Sequence, residues 1–102
     1  MTTSAPNHQD ITILAETFRL LGDPTRLRIL FHCLNEARSV GDIADSLSSS
    51  QTLVSHHLRL LRGARLVRGE RRSRQVFYQV SDNHVSDMLT DMASHINEEH
   101  DD

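Results

Sequence analysis

The spacing of apolar residues changes twice along this chain of 102 residues. Up to Leu61 the apolar residues recur at every third or fourth position, which is the pattern of amphipathic helices. From Leu66 to Val80 they come close to alternating with polar residues, which indicates β-strands. From Val85 onward the helical spacing returns. The chain is therefore predicted to form one compact, mainly α-helical domain with a β-hairpin before its last helix.

Capping and turn residues divide the helical pattern into five segments. Aspartate caps free amides at a helix start, proline at the first helical position lacks an amide that would be unpaired there, and glycine can end a helix. The first predicted helix runs from about Asp10 to Gly22, and the second starts at Asp23-Pro24. The third ends at Ser48-Ser49-Ser50, and the fourth runs from Gln51 to about Arg62. The fifth starts at Ser81-Asp82. The predicted strands, Leu66-Val67 and Val76 to Val80, are joined through Gly69 to Ser73. We predict a flexible arm at 1–10, one domain at 11–97 and an acidic tail at 98–102.

The helical spacing also predicts which side chains form the apolar stripes. They are Ile11, Leu14, Phe18 and Leu21 in the first helix, Leu27, Leu30, Phe31 and Leu34 in the second, Val40, Ile43, Ala44 and Leu47 in the third, Val54, Leu58 and Leu61 in the fourth, and Val85, Met88, Leu89, Met92, Ala93 and Ile96 in the last. The single cysteine, Cys33, is expected to be a small buried residue, because one cysteine by itself forms neither an internal disulfide nor a thiolate metal site.

Charge is distributed unevenly along the chain. The segment from His56 to Tyr78 contains seven arginines and one acid, whereas the segment from Gln79 to Asp102 contains seven acids and no arginine. The first segment should attract polyanions and the second should attract cations. No apolar run is long enough to span a membrane, and the first ten residues lack the pattern of a signal peptide, so we expect a cytoplasmic protein.

The third and fourth helices form a predicted helix-turn-helix. In this arrangement the second helix can enter the major groove of DNA, and the hairpin that follows is a wing. Side chains expected to reach base edges are Gln51, Thr52, Ser55, His56 and Arg59, because amide and guanidinium groups make bidentate pairings with bases. The wing arginines Arg71, Arg72 and Arg74 suit phosphates or a minor groove. His57 either touches DNA or packs beneath the helix, and the arginines could also form a merely solvated face.

Taken together, these segments resemble a known family. The sequence from Leu21 to Leu30, which includes Gly22-Asp23-Pro24-Thr25-Arg26, the sequence from Val54 to Leu61, and the strand from Arg71 to Tyr78 resemble the ArsR/SmtB family of bacterial winged-helix repressors. The resemblance implies a homodimer, built by the first and last helices, that represses metal-resistance or metal-efflux operons until an inducer releases it from DNA. Ser39 and Gly41 stand where one branch of the family has cysteines, so a thiolate sensor of cadmium, lead or arsenite is not expected.

The last helix contains a candidate metal-ligand set. Asp82, His84, His95 and Glu98 provide two carboxylates and two imidazoles, which suits a tetrahedral zinc site. His84 and His95 lie about 16 Å apart along one helix, too far for both to bind one ion. If two copies of the helix pack antiparallel across a twofold axis, each end of one helix meets the opposite end of the other and two four-ligand sites form. The same four residues resemble the site of the zinc- and cobalt-sensing branch of the family.

The sequence therefore predicts a repressor that binds an inverted-repeat operator as an apo homodimer and is released by Zn(II) or Co(II). One alternative is a sensor of nickel or cobalt that recruits His100, Glu99 or His8 as additional ligands. Another is a constitutive DNA-binding repressor whose last helix has no role except dimerisation. A small metalloenzyme is disfavoured, because protein groups fill all four ligand positions and leave no place for a reactive water.

Overall fold

The computed structural model describes residues 5–98, so Glu99 and His100, two of the possible additional ligands, lie outside the described residues. The elements, in chain order, are α1 (His8–Leu21), α2 (Pro24–His32), β1 (Arg38–Ser39), α3 (Val40–Leu47), α4 (Gln51–Gly63), β2 (Val67–Arg72), β3 (Gln75–Val80) and α5 (Asn83–Asn97). The predicted order of five helices with a hairpin before the last one is confirmed.

Helix α1 begins at His8, two residues before the predicted start. Asn7 caps the helix: its side chain accepts a 2.8 Å hydrogen bond from the amide of Asp10, and the carboxylate of Asp10 accepts one from the amide of Asn7. This reciprocal capping box satisfies two amides that would otherwise lack partners. His8, Gln9 and Asp10 are therefore helical, and the assignment of these three residues to the arm was wrong.

Helices α2 and α4 each start at the predicted capping residue or turn, whereas α3, for which no start was predicted, is capped by Ser39. Asp23 caps α2 and Ser50 caps α4, each by accepting a hydrogen bond from the amide three residues later. Between α3 and α4, Ser48 adopts a left-handed conformation with φ 52° and ends α3. This sharp ending lets the chain change direction within three residues and forms the helix-turn-helix.

The sheet has three antiparallel strands in the order β1-β3-β2. Strand β2 continues through the segment predicted as the loop, so the hairpin turn is Ser73-Arg74 and the prediction of a loop from Gly69 was wrong. Gly69 pairs with Tyr78, and a Cβ at position 69 would lie 3.1 Å from Cε1 of that ring. The glycine therefore serves close packing across the hairpin. The two-residue strand β1, which pairs with Phe77 and Tyr78, was not predicted.

One apolar core joins the helices to the base of the hairpin. Its fully buried side chains come from α2, α3, α4 and the loop after α2: Ile29, Leu30, Cys33, Ile43, Val54, Leu58 and Leu61. The predicted burial of Cys33 is confirmed. Phe31, in contrast, is 42% exposed, and Ile29 takes the place predicted for it. In a helix of nine residues the periodicity leaves the direction of the buried face ambiguous, which explains this error.

The chain enters α5 through Ser81, which makes two hydrogen bonds to the segment that follows α4. Its hydroxyl donates a hydrogen bond to the carbonyl of Arg65, and its amide donates one to the carbonyl of Leu66. Asp82 then caps α5. Within residues 5–98, no helix combines the length and the apolar character that crossing a membrane requires.

Candidate nucleic-acid interface and metal centre

The outer face of α4 presents most of the predicted DNA-contacting side chains to solvent. Gln51, Thr52, His56 and Arg59 are exposed, and Ser55 is half-buried on the same helix. The buried residues Val54, Leu58 and Leu61 occupy the opposite side and fix α4 to the core. The local sequence therefore orients the polar face outward, as a helix that reads a groove requires.

Gln51 lies where α4 meets the wing. It lines one shallow cavity together with Ser39 and Gly41 of the α3 start and Gln75 and Val76 of β3. The first residue of α4 and the first residues of β3 therefore share one surface.

The wing holds its three predicted arginines differently. Arg71, Arg72 and Arg74 are all exposed. The guanidinium of Arg72 lies 3.5 Å from the carboxylate of Glu70 and 4.9 Å from the centre of the Phe77 ring. Arg72 therefore has contacts with Glu70 and Phe77 within the wing, while Arg71 lies in β2 and Arg74 lies in the hairpin turn.

The two adjacent histidines of α4 have different surroundings. His56 is exposed, whereas His57 is half-buried, with Nδ1 3.3 Å from a guanidinium nitrogen of Arg26 in α2. Burial lowers the pKa of His57 below its usual 6.5; Asp23 opposes this effect, and Arg26 and His56 add to it. Of the two roles considered for His57, the structure places it against α2. Arg26 was named from the sequence only within the family motif and was assigned no contact, because nothing in its spacing indicates a partner 31 residues away.

The four candidate metal ligands form two pairs on α5. Nδ1 of His84 lies 3.8 Å from Oδ1 of Asp82, and Nδ1 of His95 lies 3.8 Å from Oε2 of Glu98. Asp82 Oδ1 also accepts the capping hydrogen bond from the amide of Val85. The side chain of His84 is 98% exposed. Each pair brings an imidazole and a carboxylate close enough to approach one ion after a small rotation.

The two pairs lie at opposite ends of a 15-residue helix. A helix rises about 1.5 Å per residue, so the two histidines are separated by about 16 Å along the axis. Among residues 5–98, no three histidines, cysteines or acids are grouped closely enough to hold an ion. The donor set suits zinc, but a single chain presents only half of the ligands at each end.

Apolar side chains on α1 and α5 remain exposed in the single chain. Phe18 of α1 is 56% exposed and Ile96 of α5 is 72% exposed, although both belong to predicted apolar stripes; Ile11, Leu14 and Met92 are exposed as well. Large apolar side chains left exposed along one face of a helix are typical of an interaction surface.

Comparison with known proteins identifies the family. Residues 23–68 match the bacterial regulatory protein family arsR. A transcriptional repressor SmtB homologue of Synechocystis is 40% identical over 83% of this chain and 64% of that protein, so this chain spans less than two thirds of that relative. The transcriptional repressor SmtB of Mycobacterium tuberculosis is 35% identical over 92% of this chain and 70% of that protein, and the regulator NmtR of the same organism is 38% identical over 90% and 78%.

Solved structures show the same architecture. The solution structure of apo-NmtR has a TM-score of 0.79 at 33% identity and covers 97% of this chain and 83% of that chain. HlyU from Vibrio cholerae has a TM-score of 0.82 at 26% identity and covers 90% and 100%. The relatives are transcription regulators, not enzymes, and the predicted winged helix-turn-helix is confirmed. The chain therefore belongs to the ArsR family of bacterial transcription regulators and has its winged helix-turn-helix DNA-binding fold.

Proposed function

We propose that this chain is a metal-responsive repressor. Two copies bind an inverted-repeat operator without metal, and Zn(II) or Co(II), bound between the subunits, releases the DNA and permits expression of metal-efflux or resistance genes. The observation that carries the proposal is the imidazole–carboxylate pair at each end of α5, His84 with Asp82 and His95 with Glu98.

The arrangement of α5 supports sites shared between two chains. An antiparallel pair of these helices brings the Asp82/His84 end of one beside the His95/Glu98 end of the other, which completes four ligands twice. The exposed apolar residues Met92 and Ile96 lie on the same helix as the ligands. Burying them against a second copy provides the free energy that brings the half-sites together.

We call α4 the recognition helix. The DNA-binding part of the proposal rests on the side chains of its outer face. Gln51, Thr52, Ser55, His56 and Arg59 are assigned to base edges, and Arg71, Arg72 and Arg74 to phosphates or the minor groove. A twofold dimer presents two recognition helices, which suits half-sites about 34 Å apart on an inverted repeat. A small change in the spacing or the mobility of the two recognition helices on metal binding is enough to weaken DNA binding at both half-sites.

The experiment is a zinc titration of the complex with DNA. The native chain first selects a duplex from a randomised library in the presence of a chelator, and release is then followed by fluorescence anisotropy. His84→Ala and His95→Ala should remain bound at zinc concentrations that release the native chain. Asp87→Ala, which removes another acid from the same helix, should release DNA as the native chain does. The proposal fails if both histidine variants release DNA at the native zinc concentration.

Equilibrium dialysis separates this function from the constitutive alternative. The proposal expects two zinc ions per dimer, lost in both histidine variants, whereas a module without metal control binds no stoichiometric zinc. Parallel dialysis with cobalt and nickel ranks the metals. Intense visible absorption of the cobalt form would indicate four-coordination and support the four-ligand set.

A further inference from the structure

Arg26 connects three helices through one residue. It lies in the first turn of α2, and its backbone amide donates a 3.0 Å hydrogen bond to the capping carboxylate of Asp23. Its Nε donates a 2.7 Å hydrogen bond to the carbonyl of Leu20, in the last turn of α1. Its terminal nitrogen lies 3.3 Å from Nδ1 of His57 in the recognition helix. The half-buried guanidinium therefore ties the end of α1 to the middle of α4.

The contact with His57 determines where the imidazole proton lies. A guanidinium has hydrogen-bond donors and no acceptor, so Nδ1 of His57 must accept with its lone pair. The neutral ring then carries its proton on Nε2. The charged or titratable groups near the ring are Asp23 and Arg26 of α2 and His56 of α4, and the ring's burial with two cationic or potentially cationic neighbours favours the neutral form.

The position of Arg26 has an electrostatic cost that this link offsets. The first turn of a helix carries the positive end of the helix dipole, which disfavours a cation there. The Leu20 carbonyl, at the C-terminal end of α1, is one of the acceptors that a helix leaves unsatisfied, and a cation is favourable there. Arg26 thus lies where the end of α1 meets the start of α2, and its side chain is long enough to contact α4.

We infer that Arg26 is a positioning residue for DNA recognition: by bonding Leu20 and His57 together, it sets the orientation of the recognition helix relative to α1. The inference depends on the proposed function to the extent that α4 reads DNA. Because α1 contributes to the proposed dimer surface, a change in this link alters how the recognition helices of two subunits are presented to the operator. Arg26 acts through His57 and α4 and does not itself need to touch DNA.

The first test is the tautomer of His57 in the native apo protein, measured by nitrogen-15 NMR of the imidazole ring at neutral pH. The inference expects an unprotonated Nδ1 and a protonated Nε2. In Arg26→Lys, which keeps the charge and loses the planar fork, the ring should become a mixture of tautomers. Arg28→Lys, a matched change at an exposed position of the same helix, should leave the His57 signals unchanged.

The second test compares binding to the duplex selected by the native chain with binding to a random-sequence duplex, both with chelator present. Arg26→Lys should bind the selected duplex about tenfold more weakly, the effect of losing one hydrogen bond from a charged group, and should bind the random duplex as the native chain does. His57→Leu, which has no acceptor, should show the same selective loss. His57→Asn, which offers an oxygen acceptor near the position of Nδ1, should restore most of the native affinity.

A protonated Nδ1 in the native protein would overturn the inference, and so would His57→Leu binding the selected duplex with native affinity. If Arg26→Lys does not fold, as judged by circular dichroism, the native tautomer and the two His57 variants still decide the matter. A native chain that selects no duplex would overturn the proposed function and, with it, the role of Arg26 in recognition, whereas the tautomer would still report whether the link exists.

Discussion

The hydroxyl of Ser81 donates a 2.6 Å hydrogen bond to the backbone carbonyl of Arg65. Ser81 directly precedes Asp82, the first candidate metal ligand, and Arg65 directly follows the residue that caps the end of α4. Arg65 has a left-handed backbone with φ 61°, a conformation that needs support in a residue other than glycine. Together with the hydrogen bond from the Ser81 amide to the Leu66 carbonyl, this bond joins the start of α5 to the segment that follows the recognition helix.

From the hydrogen bond between Ser81 and Arg65 we expect a route by which metal binding affects DNA binding. Ser81→Ala should leave zinc stoichiometry unchanged but reduce the factor by which zinc weakens DNA binding, because a restraint at Asp82 is then transmitted less directly to α4. Loss of the bond should also reduce the free energy of unfolding by about 1 kcal/mol.

The coupling is measured as the ratio of DNA affinities with chelator and with saturating zinc. Ser86→Ala is the matched control, because the Ser86 hydroxyl bonds a carbonyl within its own helix. An unchanged ratio in Ser81→Ala would show that the coupling does not use this bond.

The recognition helix and the wing should respond differently to the loss of an arginine. Arg59→Ala should cost about 1–3 kcal/mol on the selected duplex and relax the preference for a base pair, since Arg59 is assigned to a base edge. Arg74→Ala, at the wing tip, should weaken binding to all sequences and reduce the slope of log affinity against log salt by about 1. Salt titrations on selected and random duplexes measure both effects. If each variant loses as much affinity for the selected duplex as for the random duplex, the assignment of Arg59 to a base edge is contradicted.

The buried thiol of Cys33 should make the free energy of unfolding fall as the pH rises above 9. Burial raises the pKa of its thiol from 9.0 to about 12, and Arg38 opposes part of this rise. The unfolded chain therefore releases the thiol proton near pH 9 while the folded chain retains it, so this contribution to stability is complete below pH 9 and is lost as the pH rises toward 12.

Urea unfolding at pH 8 and pH 10 tests this dependence. Cys33→Ala should be less stable at pH 8, by about 1 kcal/mol for the small cavity, but should lose less stability between the two pH values. Parallel losses in the native chain and the variant would contradict the raised pKa.

The sequence predicted the elements that long apolar patterns define. In α4 the residues Val54, Leu58 and Leu61 repeat at helical spacing and are all buried. Strand β1 was missed because Arg38-Ser39 has no apolar alternation, and its pairing with β3 is decided by tertiary structure. The wing strand β2 was shortened in the prediction because Arg71 and Arg72 are exposed and polar, whereas backbone pairing with β3 holds them in the strand.

The candidate metal ligands could be predicted from the sequence because each pair lies close together along α5. The pairs Asp82/His84 and His95/Glu98 follow from spacing along α5, and the structure brings each pair together. The contact between Arg26 and His57 could not be predicted, because it depends on the packing of α2 against α4. The start of α1 could have been predicted, since Asn7 and Asp10 have the spacing of a capping box.

Mixing two defective chains tests whether each metal site is shared between subunits. If each metal site takes Asp82 and His84 from one subunit and His95 and Glu98 from the other, a heterodimer of His84→Ala with His95→Ala keeps one site intact and loses the other entirely. Zinc stoichiometry is measured on heterodimers purified through two different affinity tags. The account predicts one tightly bound zinc per heterodimer and none in either variant homodimer. A heterodimer that binds no zinc, or variant homodimers that still bind two, would contradict a site shared across the twofold axis.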